Sequence, residues 1–347
     1  MGVWPLFLPD LTVWYNWHAG RHTLPGKWEG KGLPAICRDM GVPAWRTVKP
    51  WRVEIPGVEG GTEKTETERT VRWETRAGIL LSRWTRGPDG DWWQAEYPVK
   101  SAADLAAARE AAEARRYVPD PAALAAERST GDPVFLALEL PQRPWSELFH
   151  SFLGWSEGLM LFLEQEEALR GIVGILEEKL QDITREVAKM PGDLVLSPDN
   201  LDGQFIAPSS FDEHLAPSYE RSAEALHAAG KRIVVHAGGP VRGLLPGLAR
   251  CGVDCVEGVC GPPQGDASLA EAREMCGASI TLWGGIAQDF LLGSRAPQEF
   301  ETAVTAAFDQ ARGDPNAVVG VADKVPVDAL PERLEALLRF AREAPPR

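Results

Sequence analysis

The second half of the chain repeats one unit, a short apolar strand followed by an amphipathic helix, and this repeat restricts the fold more than any other feature. Strands that are almost entirely apolar are typical of parallel sheets covered on both faces. We predict strands at 134–138, 193–197, 232–236, 254–259, 279–284 and 317–321, and helices at 210–229, 240–250, 268–275, 297–312 and 328–343. Two more strands, near 4–8 and before residue 101, would complete eight. The pattern predicts an α/β fold, a (β/α)8 TIM barrel. An open doubly wound sheet is the alternative, although no Gly-x-Gly-x-x-Gly follows a strand.

The first 100 residues have a different character. Eleven of the 13 tryptophans precede residue 146, among irregular Pro- and Gly-rich sequence. Alternating polar and apolar residues at about 54–84 predict an antiparallel β-hairpin that turns near Arg76-Ala77-Gly78. Ser101 followed by Asp104 is a helix N-cap pattern. We therefore predict one barrel domain, 1–347. In it, 1–100 carries the Trp-rich part with the hairpin insertion, and 101–347 carries the repeated β/α units.

The charge balance excludes several classes of partner. Fifty acidic and 36 basic residues give a net charge of −14, which repels phosphate backbones and anionic lipid. We expect neither nucleic-acid nor membrane binding, since no apolar run approaches the roughly 20 residues of a membrane span. Five cysteines form no even framework, which is typical of a reducing compartment. A cytoplasmic location is expected.

Polar side chains at the strand ends are the candidates for chemistry, because barrel enzymes place their sites at the carboxyl ends of the strands. His236 ends a strand beside a Gly-Gly turn, and Asp199 follows another strand. Glu257 lies inside an apolar strand, where an unpaired carboxylate is too costly to be incidental. We predict that His236, Asp199 and Glu257 are catalytic. The alternatives are a histidine bonded to a neighbouring loop and aspartates that cap turns.

The same three side chains also form a candidate metal site. Two carboxylates and one neutral imidazole suit a borderline metal ion such as zinc. We predict Zn²⁺ binding by His236, Glu257 and Asp199. Five further residues are predicted to contact substrate, namely the N-terminal polar residues His18 and Arg21, the strand-end residues Asn200 and Asp202, and the flat ring of Trp283.

Four segments resemble the uroporphyrinogen decarboxylase superfamily, which includes corrinoid-dependent methyltransferases. They are DNLDGQFIAPSSFDEHLAPSYE, GKRIVVHAGG, GVDCVEGVCGPPQGDASLAEAREMCG and ITLWGG. The similarity extends over about 101–340, and more loosely over WHAGRHTLPGKW near the N-terminus. The resemblance implies a (β/α)8 barrel with a cleft at the strand carboxyl ends.

The chain also departs from the superfamily's motifs. Where the decarboxylase has Arg-Gln-Ala-Gly-Arg-Tyr, this chain has Trp17-His18-Ala19-Gly20-Arg21-His22, so one of the two arginines is retained. The decarboxylase's downstream aspartate motif and its Gly-His-Gly segment have no counterpart. Thiol-directed methyltransferases of the superfamily bind zinc through His-x-Cys and a later Cys. Here Gly238 replaces the first cysteine, and 318–323 contains none.

The resemblance therefore favours a methyltransferase that demethylates a small methyl ether or amine, or passes the methyl group on, together with a separate corrinoid protein. The corrinoid is expected on that partner because the chain has no Asp-x-His-x-x-Gly motif. A homodimer is expected, as among similar barrels. One alternative is a lyase acting on a small carboxylated substrate held by Arg21. The other is a barrel that binds a ligand without catalysis.

Overall fold

The computed structural model describes residues 6–87, 92–128 and 134–343. Its contacts group the chain into two compact units. We call Met1–Val48, Leu124–Glu139 and Pro191–Arg347 the barrel unit, and Lys49–Ala123 and Leu140–Met190 the second unit. The single barrel domain expected from the sequence stays a prediction.

The described strands, in chain order, are β1 Leu6–Phe7, β2 Ala44–Val48, β3 Trp51–Glu54, β4 Glu59–Lys64, β5 Glu68–Thr75, β6 Gly78–Arg86, β7 Trp92–Glu96, β8 Arg116–Pro119, β9 Val134–Glu139, β10 Leu194–Leu201, β11 Arg232–Ala237, β12 Cys255–Val259, β13 Thr281–Ile286 and β14 Ala317–Val321. The α-helices are α1 Thr12–Gly20, α2 Leu33–Met40, α3 Leu105–Ala114, α4 Pro121–Arg128, α5 Pro144–Glu147, α6 Ser156–Glu164, α7 Glu166–Ala188, α8 Pro208–Ser210, α9 Ala216–Ala228, α10 Leu245–Arg250, α11 Leu269–Cys276, α12 Pro297–Ala311 and α13 Pro331–Glu343. Short 3₁₀ segments occur at Gly26–Trp28, Ala102–Asp104 and Gln288–Leu291, and π-helical segments at Leu148–Leu153 and Phe211–Leu215.

Eight parallel strands form the sheet of the barrel unit, in the order β1-β14-β13-β12-β11-β10-β9-β2. Helices connect most of these strands along the chain, which is the arrangement expected of an α/β barrel. The predicted fold class is confirmed. All six strands predicted in the second half are present, and β1 and β2 are the two that the N-terminal region was expected to contribute.

A layer of apolar side chains fills the interior of the barrel unit. Trp45 on β2 and Trp283 on β13 meet edge to face, with ring centroids 4.8 Å apart, although four strands lie between β13 and β2 in the sheet order. The sheet must therefore curl around a shared interior. The indole N–H of Trp283 donates to the carbonyl of Leu8 at 2.9 Å. This core layer consists of Leu8, Trp45, Ala137, Trp283, Leu194, Leu196, Cys255 and Val318.

Strand alternation positions the polar residues above this layer. Side chains two residues apart on a strand share a face. On β11, His236 therefore shares the face of Val234, and on β12, Glu257 shares the face of Cys255. Both polar residues lie nearer the carboxyl ends of their strands than the core layer does.

The second unit contains the predicted hairpin. Strand β5 ends at Thr75 and β6 begins at Gly78, so the turn lies where the sequence placed it. This hairpin belongs to a four-stranded antiparallel sheet in the order β4-β5-β6-β7, and β3 pairs with β8. The Ser101–Asp104 capping box is present before α3. No helix in the described parts of either unit is long and apolar enough to cross a bilayer.

Replacing Trp283 with Phe should lower the free energy of unfolding by about 2–3 kcal/mol, because the buried Leu8 carbonyl loses its donor and the core loses volume. Urea denaturation followed by circular dichroism measures this. The same substitution at Trp93, which is 62% exposed, is the control and should change stability by less than about 0.5 kcal/mol. Equal effects at the two positions would contradict a core role for Trp283.

Candidate active site

His236 and Glu257 form a hydrogen-bonded pair inside the barrel unit. They are direct partners in the parallel register of β11 and β12, so their side chains project side by side. The Nδ1 atom of His236 donates to Oε2 of Glu257 at 2.5 Å. The imidazole is 21% exposed and the carboxyl 9% exposed. Two strands thus hold the pair, and one edge of the imidazole is accessible.

Two more carboxylates face this pair from the first and last strands of the barrel unit. Asp323 follows β14, and its Oδ1 lies 3.7 Å from Nε2 of His236. Asp10 follows β1, and its backbone carbonyl accepts the N–H of Val325 at 2.8 Å, which joins the two loops. Asp323 has a φ of 66°, a left-handed conformation that is uncommon outside glycine and frequent at functional sites. We call Asp10, His236, Glu257 and Asp323 the acidic cluster.

Sequence analysis missed Asp10 and Asp323 as site residues. Both follow a strand directly, which is the signal that identified Asp199 and could have identified them. What the sequence did not reveal is that the loops after β1 and β14 are joined. That proximity follows from the pairing of β1 with β14, at one end of the sheet order.

His236 retains its proton at neutral pH. Burial opposes a charge on His236, but the attraction and hydrogen bond of Glu257, together with Asp323, raise the pKa of His236 to about 9. Burial raises the pKa of Glu257, and repulsion from Asp323 and Asp10 adds to this while His236 acts against it. Burial also raises the pKa of Asp10. His236 is therefore a proton donor at neutral pH, and Nε2 is its accessible nitrogen because Glu257 holds Nδ1.

The second carboxylate oxygen of Glu257, Oε1, bears on whether this residue is functional or structural. Oε1 is buried and has no hydrogen-bond partner among the described residues. Leaving a buried carboxylate oxygen unsatisfied costs stability, so such atoms in folded proteins need an explanation in function or in bound partners. This atom supports a functional reading of Glu257 over a packing role.

Asp199 is part of a different arrangement. It is fully buried, and its Oδ2 accepts hydrogen bonds from the hydroxyls of Ser197 at 2.7 Å and Tyr219 at 2.5 Å. These bonds link β10 to α9. The hydrogen bonds and ion pairs of His236 go instead to Glu257 and Asp323. The structure thus brings together two of the three predicted catalytic residues and gives Asp199 an anchoring position.

The predicted zinc ligands do not fit a common metal site. Within the described ranges, no group of three or more His, Cys, Asp or Glu side chains is placed to hold a metal ion. Oε2 of Glu257 accepts a hydrogen bond from Nδ1 of His236. Oδ2 of Asp199 accepts hydrogen bonds from two hydroxyl groups. The set His236, Glu257 and Asp199 therefore does not match the geometry that zinc requires. Zinc binding by the protein stays a prediction that elemental analysis tests.

His18 and Arg21, the substrate contacts predicted near the N-terminus, already have partners within the protein. The Nε2–H of His18 donates to the carbonyl of Val327 at 2.9 Å, and Nδ1 contacts the hydroxyl of Thr23 at 2.7 Å. His18 thereby ties α1 to the chain that leads into α13. The guanidinium of Arg21 lies 3.2 Å from the ring centroid of Trp17, a cation–π contact.

The strand-end candidates occupy the loop after β10. Asn200 has a φ of 50°. Its side chain lies against the end of β11, where a Cβ at Gly238 would be 1.8 Å from Oδ1 of Asn200, so position 238 must be glycine. Asp202 accepts the N–H of Gln204 at 2.7 Å, the turn-capping role considered from the sequence. Trp283 is 4% exposed and lies in the core layer, where its indole N–H donates to the carbonyl of Leu8. The roles of these residues in binding stay predictions.

Residues 145–344, more than half of the chain, match the family model described as uroporphyrinogen decarboxylase (URO-D). The chain belongs to the uroporphyrinogen decarboxylase family. This membership confirms the resemblance found in the strand-end motifs. No curated protein sequence matches the chain.

Solved structures extend this family assignment to the fold. A methyltransferase from Methanosarcina mazei has a TM-score of 0.58 at 14% identity, covering 99% of this chain and 95% of that one. At this identity the likeness concerns the fold alone. A D-psicose 3-epimerase from Clostridium cellulolyticum H10 has a TM-score of 0.36 at 11% identity, covering 62% and 79% of the two chains. A 3-keto-D-glucoside 4-epimerase from E. coli also has a TM-score of 0.36, at 12% identity and 69% and 85% coverage. Scores this low carry no argument.

Glu257→Gln should lower the pKa of His236 from about 9, because the loss of the carboxylate leaves burial as the dominant effect on the imidazole. Histidine NMR titration measures this. Glu271→Gln, a change on the surface at α11, is the control and should leave the titration of His236 unchanged. A His236 that titrates near 6.5 in the unmodified protein would contradict the assigned pair.

Tyr219→Phe should lower the free energy of unfolding by about 1–3 kcal/mol, since the buried Asp199 loses a hydroxyl donor. Tyr15→Phe is the matched control, with an expected change below about 0.5 kcal/mol. The pKa of His236 should be the same in both variants and in the unmodified protein. A shifted His236 titration in Tyr219→Phe would instead place Asp199 in the electrostatic environment of the pair.

Proposed function

We propose that the protein is a methyltransferase that removes a methyl group from a small methyl ether or amine and delivers it to a separate corrinoid protein. The observation that carries this proposal is the His236–Glu257 pair at the carboxyl ends of β11 and β12. Family membership and the fold likeness to a Methanosarcina methyltransferase support the reaction class.

Protonated His236 meets the chief chemical requirement of such a transfer. When the bond from the methyl carbon to oxygen or nitrogen breaks, the leaving atom retains the electron pair and needs a proton, which a positioned general acid supplies. Nε2 of His236 donates that proton, and Glu257 holds the ring and stabilises its charge. The corrinoid of the partner protein would supply the electron pair that bonds to the methyl carbon. The neutral imidazole then takes a proton from solvent, which restores the acid.

The accessible edge of the pair suits a reactant delivered by another protein. The side chains of His236 and Asp323 are 21% and 25% exposed, whereas Glu257 behind them is 9% exposed. A general acid that is supported from within and reachable from outside can serve a substrate that a partner must also approach. This exposure is compatible with a corrinoid carried on a separate chain.

The charge of the acidic cluster favours this proposal over the lyase alternative. Three carboxyl groups, those of Asp10, Glu257 and Asp323, surround one imidazole. Such a site repels a carboxylated substrate and accepts a neutral ether or a neutral amine, whose leaving atom takes the proton of His236. The lyase hypothesis assigns Arg21 to the substrate carboxylate, and Arg21 lies over Trp17. The alternative of a barrel that binds a ligand without catalysis does not explain why an imidazole on a strand has a raised pKa.

Methyl transfer to free cobalamin, reduced to Co(I), tests the proposal with a panel of methoxyarenes and methylamines. Absorbance spectra follow the methylation of the cobalamin. His236→Ala should reduce the rate at least about 100-fold, the range lost with a general acid. Because the protonated imidazole is the active form, the rate should be constant at low pH and decline as pH rises through about 9. In Glu257→Gln, the decline should begin at lower pH.

Glu271→Gln serves as the control and should retain the rate and pH profile of the unmodified protein. An unchanged rate in His236→Ala would remove His236 from the mechanism. Carbon dioxide release from a small carboxylated compound, without cobalamin and with no methyl transfer, would replace the proposal with the lyase.

A further inference from the structure

A cavity lies at the opposite end of the barrel unit from the acidic cluster. Its volume is about 400 Å³, within the range of small-molecule sites. The first residues of five strands line it, namely Leu6, Leu194, Arg232, Cys255 and Thr281. The cavity therefore lies at the amino ends of the strands, the face that barrel enzymes do not use for chemistry.

Short inward side chains create this space. Barrel interiors are ordinarily filled by stacked layers of bulky residues. At the amino ends of β12 and β13, the lining positions carry Cys255, Thr281 and, just before β13, Ser279. Trp45 and Trp283, which belong to the core layer, line the cavity as well. The two rings meet edge to face, so the cavity is bounded on that side by aromatic surface.

The polar part of the lining carries balanced charge. Arg232 Nη1 lies 3.0 Å from Oδ1 of Asp254, and His227 Nε2 lies 2.7 Å from Oδ2. Both cavity-lining charges are thus paired with each other, and Thr281 and Asn316 add uncharged polar groups. A lining with paired charges and an aromatic wall favours a neutral ligand over an ion.

We propose that this cavity binds a small, neutral aromatic molecule with one hydrogen-bonding substituent. The ring lies against Trp45 and Trp283, and the substituent faces the polar residues at the strand ends. Val234 and Cys255 line the cavity and precede His236 and Glu257 by two residues on the same strands. The two sites therefore lie on opposite sides of one layer of side chains. The proposal is independent of methyl transfer, because it rests on the lining alone.

Isothermal titration of the purified chain with indole tests the site, with benzoate as the charged comparison. Indole should bind, and benzoate should bind at least tenfold more weakly. Thr281→Phe fills the cavity with a ring and should weaken indole binding at least tenfold. Thr305→Phe, the same substitution at an exposed position on α12 outside the lining, is the matched control and should bind indole within about twofold of the unmodified protein.

Absence of indole binding to the unmodified protein would overturn the proposal, as would undiminished binding in Thr281→Phe. Binding of benzoate as tight as that of indole would overturn the neutral ligand class. If Thr281→Phe lacks the circular dichroism spectrum of the folded protein, Ser279→Trp provides the test at an exposed lining position and should weaken indole binding equally. Methyl-transfer activity is not a readout here, so failure of either proposal leaves the other intact.

Discussion

The hydrogen bond between His236 and Glu257 depends on the register of two parallel strands. A shift of one residue between β11 and β12 would turn one side chain to the opposite face and separate the pair. The apolar residues that alternate with them, Val235 and Val256, are fully buried on the other face. The burial of these valines thus fixes the register that brings the imidazole and the carboxylate together. The pair is thus a consequence of how the sheet packs.

Placement of His236 and Glu257 on buried strands also explains the electrostatics of the pair. A carboxylate buried beside an imidazole favours the imidazolium, whereas burial alone favours the neutral ring. Here Glu257 and Asp323 outweigh burial, so the pKa of His236 is raised. The same burial raises the pKa of Glu257, and the attraction of His236 acts against that rise. A fixed pair of this kind needs little reorganisation when a proton leaves, which is the physical basis of preorganised acid catalysis.

The sequence predicted the strands and the positions of His236 and Glu257 at neighbouring strand ends, because both rest on local patterns. Apolar runs identify buried strands, and a polar residue within or ending such a run must be paired or functional. Positions set by distant contacts were not predictable in this way. Asp266 accepts the N–H groups of Val241 and Arg242, and helix α10 begins only at Leu245, later than the predicted helix 240–250. Asp199 was predicted from its position after a strand, as His236 was. Its side chain instead bonds to the hydroxyl of Tyr219 on α9, a contact that the local sequence does not reveal.

Close approach of the backbones above the pair completes the site. Gly258 follows Glu257 with a φ of 97°, and a Cβ there would lie 2.0 Å from the carbonyl oxygen of Ala237. The register of β12 against β13 shifts between Glu257 and Val259, which is a bulge in the strand. Bulges bend a strand and re-aim the side chains beside them. A glycine at 258 thus lets β12 bend against β11 directly after Glu257. A larger residue at 258 would force the two strands apart where the pair must meet, so the chemistry of the site depends on a residue that has no side chain.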